Sequence, residues 1–143
     1  MDIETMLARV DHTQLKPYCT WEDIQALCQE AVAYHTASVC IPPCYVRRVH
    51  DTYGDQLKIC TVIGFPLGYQ VTAAGADYIK TSTGFGIGGA TREDVQLFKE
   101  NIGPDVKIKA AGGVSTLEDL EDFIRLGCDR VGTSRAVGLV KGQ

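Results

Sequence analysis

Two lysines stand where a strand-end lysine invites a chemical reading. Lys80 closes the apolar run in "DYIKTS" and Lys109 the one in "VKIKAAGG", and each follows an isoleucine, Ile79 and Ile108. Side chains alternate faces along a strand, so on neighbouring strands these two amines would emerge on the same face. The carboxyl ends of parallel strands are where βα folds place their ligands. Two ammonium groups sharing a low-dielectric mouth disfavour each other's charge. The amine that gives up its proton is a nucleophile for a carbonyl carbon, and the resulting imine is an electron sink. For a lone strand-end lysine a solvated charge would be the better reading; the pairing favours chemistry.

A place for an anion lies beside them. Gly112 and Gly113 follow the "KIKA" run, and Gly132, Thr133 and Ser134 follow "CDRV" and open a short helix. Glycines let backbone N–H groups approach a phosphate, and a helix amino end adds a favourable dipole; tight turns alone are the plainer alternative. Thr81 and Ser82 can bond to substrate or to strand-end backbone groups, and Arg135 can reach a phosphate or point outward. Arg47 and Arg48 suit a solvated helix face, and His12, His35 and His50 form no triad with a nucleophile. The six cysteines Cys19, Cys28, Cys40, Cys44, Cys60 and Cys128 include no C-x-x-C pair, so free thiols are expected, with no metal and no cofactor.

The elements that must position these groups alternate in type. Ile3, Met6, Leu7 and Val10 have helical spacing; "VDHTQL", "ASVCI", "KICTVIGF", "DYIKTS", "VKIKAAGG" and "CDRVGTS" read as strands. Between them, Thr20 caps a helix with Ile24, Leu27, Cys28 and Ala31 on its stripe, and Pro42 and Pro43 end a strand and open a helix carrying Val46 and Val49. Thr91 opens a helix burying Val95, Phe98 and Ile102, and Thr116 one carrying Leu117, Leu120 and Ile124. "AGADYIKTST" and "LGCDRVGTSR" share a frame in which Gly75 and Gly127 are left-handed helix caps and Ile79 and Val131 face the same way. This alternation predicts an α/β fold with a parallel sheet, in a single domain over 1–143. One join is too short: "PLGYQVTAAGA" leaves the end of a helix without its beginning, which places an apparent deletion junction near 70–71.

A length of 143 residues with 45% hydrophobic and 22% charged residues suits a globular domain, and a net charge of −4 argues against nucleic acid or an anionic membrane as partner. No apolar run is long enough to span a bilayer and "MDIETMLARV" is unlike a secretory signal, so a cytoplasmic location is expected.

"DYIKTSTGF", "KIKAAGGV", "VDHTQLKP", "SVCIPPCYV" and "TVIGFPLGYQ" together resemble the deoxyribose-phosphate aldolases. The resemblance implies a TIM-barrel class I aldolase of deoxyribose catabolism, cleaving 2-deoxy-D-ribose 5-phosphate to D-glyceraldehyde 3-phosphate and acetaldehyde. It assigns the Schiff-base lysine to Lys80 and the assisting lysine to Lys109. Phosphate contacts fall on Gly112, Gly113, Gly132 and Ser134, and Asp11 and Cys40 take positions lining the mouth; Thr81, Ser82 and Gly84 belong to the same substrate-binding set. The family's acidic fourth-strand run and its fifth-strand lysine run have no match here. A barrel of this kind typically needs about 250 residues. The expectation is therefore an incomplete (β/α)8 barrel lacking about two central βα units, with exposed edges beside "TVIGF" and "YIKTS" that a homo-oligomer could cover. The absent carboxylate belongs to the family's proton relay, so impaired turnover is part of that expectation. Another imine-forming sugar-phosphate aldolase, or a sugar-phosphate-binding scaffold without turnover, are the alternatives.

Overall fold

The computed structural model describes residues 1–62, 65, 77–84, 88–102 and 104–141. Its chain order is α1 (Ile3–Leu7), β1 (Val10–Thr13), α2 (Trp21–Ala33), β2 (Ser38–Cys40), α3 (Val46–Tyr53), β3 (Ile59–Cys60), β4 (Tyr78–Lys80), α4 (Arg92–Asn101), β5 (Lys107–Ala111), α5 (Leu117–Arg125), β6 (Arg130–Thr133) and α6 (Ala136–Lys141). The six strands form one parallel sheet in the order β3-β2-β1-β6-β5-β4. First and last strands of the chain meet at the centre, as barrel closure requires, and among the described residues β3 and β4 are the two edges, so the described strands form an arc of a barrel.

Three helices begin with the same device. Thr20, Thr91 and Thr116 each accept a hydrogen bond from the backbone N–H three residues on, and Asp23, Asp94 and Asp119 reach back to the cap. Each box satisfies two otherwise orphaned donors and sets an acidic group at the positive helix end. At the other end of α5, Gly127 adopts φ +100°, and the N–H groups of Gly127 and Cys128 return to Ile124 and Phe123. That is the left-handed cap expected there; its counterpart Gly75 and the junction near 70–71 lie outside the described residues.

The core lies between sheet and helices in two groups. One joins Val10, Val95, Ile108, Ala110, Leu120 and Val131 with α1, α4, α5 and α6; the other joins Ile24, Cys28, Ala31, Val39, Ile41 and Val49 under α2 and α3. Ile79 packs on the first group beside its register partner Ile108. Because strand side chains alternate, residues at alternate register positions (Asp11, Cys40, Lys80, Lys109) are turned to the inner face.

Two expectations change. Val10 leaves the helical pattern of residues 3–7 and starts β1, where it is fully buried against Val131 in the next strand. The third strand is described only over Ile59–Cys60, shorter than "KICTVIGF" suggests. Its ladder partner β2 runs into Pro42 and Pro43, which have no N–H to continue the pairing; the last bond is from Ile41 N–H to the Cys60 carbonyl. No described helix is long and apolar enough to cross a membrane.

Candidate active site

Lys80 and Lys109 are direct register partners on β4 and β5, so the parity read from the sequence brings them to one face of the sheet. Their surroundings then separate them. Lys109 is 6% exposed, and its Nζ lies 2.5 Å from Asp11 Oδ2. Asp11, itself 4% exposed, also accepts from Ser38 Oγ at 2.7 Å and faces Arg130 Nε at 3.8 Å. Burial pulls Lys109 towards neutrality, but the sulfurs of Cys40 and Cys60, the Asp11 carboxylate and the hydrogen bond to Asp11 outweigh it, and its pKa lies above the ordinary 10.5. Lys80 is half-buried, with its Nζ 4.9 Å from the centre of the Phe65 ring. Desolvation first, and the Lys109 charge second, push its pKa below 10.5. One amine is fixed as a cation and the other is biased towards the free base.

Both open into a cleft of about 450 Å³ at the carboxyl ends of the strands, lined also by Cys40, Gly84, Gly112, Gly113, Gly132 and Ser134. Gly112 and Gly113 carry φ +84° and +76°; a Cβ on Gly112 would lie 2.6 Å from Ser82 Oγ, so both conformation and space demand glycine. The loops after β5 and β6 are tied together by Thr133 Oγ1, which donates to the Val114 carbonyl at 3.1 Å and accepts from Arg135 N–H. Gly132 serves a second purpose. It is buried, and a Cβ there would stand 3.0 Å from Lys109 Cε, so its missing side chain is the channel through which Lys109 extends.

The other expected site residues fall in different places. Asp11 sits below the cleft, held by Lys109, Ser38 and Arg130. Thr81 Oγ1 and Ser82 Oγ both donate to the Ala111 carbonyl, and Ala111 N–H returns to Thr81 Oγ1; these hydroxyls clamp β4 to β5, while Thr83 lines the cleft. Arg135 lines it from an exposed position. His12 is buried on the outer side of β1, with Nε2 3.0 Å from Glu30 Oε2. The sequence reading passed over Gln14, Lys16 and Tyr18, which line the cleft from the loop after β1; the only signal was a polar segment at a strand's carboxyl end. Among the described lining residues there are four cations, Lys16, Lys80, Lys109 and Arg135, and no carboxylate. In a protein of net charge −4 that is a local anion site. No group of three or more His, Cys, Asp or Glu able to hold a metal ion occurs among the described residues.

No family model matches the chain. A deoxyribose-phosphate aldolase of Clostridium botulinum (strain Alaska E43 / Type E3) is 45% identical over 216 residues, covering 100% of this chain and 98% of that protein. One of Clostridioides difficile (strain 630) is 38% identical over 211 residues, covering 96% of each. The first match runs over 216 positions and the chain has 143 residues, so it bridges positions without a counterpart here. Among solved structures, a deoxyribose-phosphate aldolase assignment from Coccidioides immitis superposes with TM-score 0.87 at 26% identity, covering 99% of this chain and 87% of that one. The tetrameric deoxyribose phosphate aldolase of Aeropyrum pernix gives 0.84 at 22% identity, covering 99% and 92%, a likeness of fold.

Proposed function

Since the chain belongs to the deoxyribose-phosphate aldolase family, we propose that it is a class I aldolase acting on 2-deoxy-D-ribose 5-phosphate, with Lys80 as the imine-forming residue. The observation that carries this reading is the register pair Lys80–Lys109 with unequal surroundings. Neutral Lys80 adds to the aldehyde carbon, and loss of water gives the imine. The protonated imine nitrogen draws the electron pair of the breaking C2–C3 bond, the C3 hydroxyl gives up its proton, and glyceraldehyde 3-phosphate leaves. The remaining enamine takes a proton at C2, and hydrolysis frees acetaldehyde and Lys80. Lys109 adds to desolvation in lowering the pKa of the neighbouring amine and provides a fixed positive charge beside the reacting carbons. The loops at Gly112–Gly113 and Gly132–Ser134, with Lys16 and Arg135 at the rim, are assigned to the phosphate.

Borohydride added with acetaldehyde should reduce the imine to a stable amine on the peptide containing Lys80 and on no other; an unlabelled Lys80 peptide overturns the assignment. One observation favours a second reading, a scaffold that binds sugar phosphate without turning it over: no described lining residue is a carboxylate that could move the proton. General acid–base groups contribute typically about 10²–10⁴-fold. Phosphate-ester binding by calorimetry with no acetaldehyde released in a coupled assay would select that reading. A homo-oligomer covering the edges at β3 and β4 is part of the proposal, and light scattering tests it.

A further inference from the structure

Two thiols on the inner face, of which Cys40 also lines the cleft, take no part in the aldol steps proposed above. Cys40 ends β2, Cys60 ends β3, and the two are register partners on adjacent parallel strands. Partners in register leave the sheet on the same side, and here that side is the inner one, because Lys109 Nζ lies 3.7 Å from Cys60 Sγ. Each thiol shifts the other's titration in opposite directions, raising Cys40 and lowering Cys60. Cys40 is 1% exposed, whereas Cys60 is half-buried on a strand that pairs, among the described residues, with β2 alone. The arrangement is therefore asymmetric, with a half-buried cysteine beside a fixed cation and a buried one as its register partner. The remaining cysteines lack it: Cys28 and Cys128 are buried in the outer layer, where burial pushes their thiols up to about 11.

We propose that Cys60 and Cys40 form an attacking and resolving pair that reacts with low-molecular-weight disulfides and closes a reversible Cys40–Cys60 bridge under the cleft. The Cys60 thiolate, paired with the Lys109 ammonium, attacks one sulfur of the small disulfide and expels a thiolate. Cys40 then loses its proton and attacks the Cys60 sulfur, expelling the second thiolate. Two protein thiols are oxidised to one bridge, the small disulfide is reduced to two thiols, and the two protein protons end on those leaving groups. The Cys40 side chain beside it, with the Lys109 charge, outweighs burial and pulls Cys60 down to about 6, in the range where attack is efficient; the Cys60 side chain and burial push Cys40 up, so it keeps its proton.

Strand spacing of about 4.8 Å falls inside the usual Cα separation of a disulfide, while the side-chain carbons of such neighbours stand farther apart than its preferred ~3.8 Å. A bridge here is strained, and strained bridges are the easily reduced ones. The short strand β3 is the element that can shift to close it. Closure also removes negative charge that favours the protonated forms of both Lys80 and Lys109. The inference stands apart from the proposed function, since bridge formation requires no imine.

The test uses the full chain carrying Cys44→Ser, which removes an exposed thiol, and oxidised glutathione as the probe. The expected result is an intact mass lower by two hydrogens, a non-reducing digest joining the Cys40 and Cys60 peptides, and reversal by dithiothreitol. Adding Cys40→Ser should leave glutathione attached at Cys60, and with Cys40 present the reactivity of Cys60 should rise through about pH 6. An unreactive Cys60, a lasting glutathione adduct while Cys40 is present, or a rise only near the ordinary thiol range of about 8.5 overturns it.

Discussion

Replacing Asp11 with asparagine should destabilise the protein by about 3 kcal/mol, near the lower end of what breaking a buried ion pair costs. At 2.5 Å and an effective dielectric of about 20, the gross attraction between the Asp11 carboxylate and the Lys109 ammonium is roughly 7 kcal/mol, opposed by several kcal/mol of lost hydration for each ion. With side chains only 5% and 7% exposed, neither partner can turn to water when the other is removed. The asparagine amide oxygen can still accept from Ser38, which is why the loss belongs at the low end. Lys109→Met should cost a similar amount by stranding the carboxylate against Ser38 and Arg130. The double variant buries neither charge, and should cost about 2–3 kcal/mol less than the sum of the singles. Urea unfolding at neutral pH measures all four corners of this cycle. Because the folded pKa of Lys109 lies above its unfolded 10.5, its contribution is complete below pH 10.5 and disappears as pH rises through the folded value, so the cost of Asp11→Asn should shrink only in strong alkali. A single-variant cost under about 1 kcal/mol, or a cycle additive within about 0.5 kcal/mol, would refute the buried pair.

The same charges govern reactivity. In Lys109→Met the second cause of the low Lys80 pKa is gone, so the rise of borohydride trapping with pH should move to higher pH; an unmoved profile would show that the two amines do not sense each other. Gly132→Ala sets a Cβ 3.0 Å from Lys109 Cε and 3.3 Å from Ala111 Cβ, and should cost about 1–3 kcal/mol by overpacking while lowering the trapping rate at Lys80; unchanged stability and rate would mean that Lys109 needs no channel. Gly112→Ala meets both φ +84° and Ser82 Oγ at 2.6 Å, and should weaken phosphate-ester binding measured by calorimetry while destabilising by at least about 1 kcal/mol. Retained affinity would remove this loop from the phosphate site.

Local patterns carried much of this fold. The lysines are legible because a strand's alternation is strict: two amines, each one residue past an isoleucine, become register partners once the strands are neighbours. The Thr-x-x-Asp boxes are legible because cap and partner are three residues apart. What stayed hidden depends on distant pairings or on competition between elements. Nothing around "VDHT" says that its aspartate will hold a lysine 98 positions away, or that Ser38 and Arg130 will flank it. The hydroxyls of Thr81 and Ser82 were ambiguous until β4 lay beside β5 and offered the Ala111 carbonyl. α2 has no glycine at its end, yet His35 takes φ 52° there, because the N–H of Thr36 returns to Ala31.

The order of strands explains why a shortened barrel can keep this site. Asp11, Cys40, Lys109, the Gly112–Gly113 loop and the Gly132–Ser134 loop sit on or directly after β1, β2, β5 and β6, which are contiguous in the sheet and each paired on both sides. The stretch between β3 and β4 in the chain joins the two strands at the ends of the described sheet, so a deletion there would leave that block intact. The buried ion pair and the loops proposed for the phosphate therefore rest on strands paired on both sides. Lys80 does not: it stands on β4, which pairs with β5 alone among the described residues, and desolvation is the first cause of its lowered pKa. The amine proposed as nucleophile thus depends on cover at an edge, while the groups proposed to hold the substrate do not. Substrate binding should survive perturbation of the β4 edge more readily than imine formation, so comparing phosphate-ester affinity with Lys80 trapping after partial denaturant tells which part of the barrel each activity rests on.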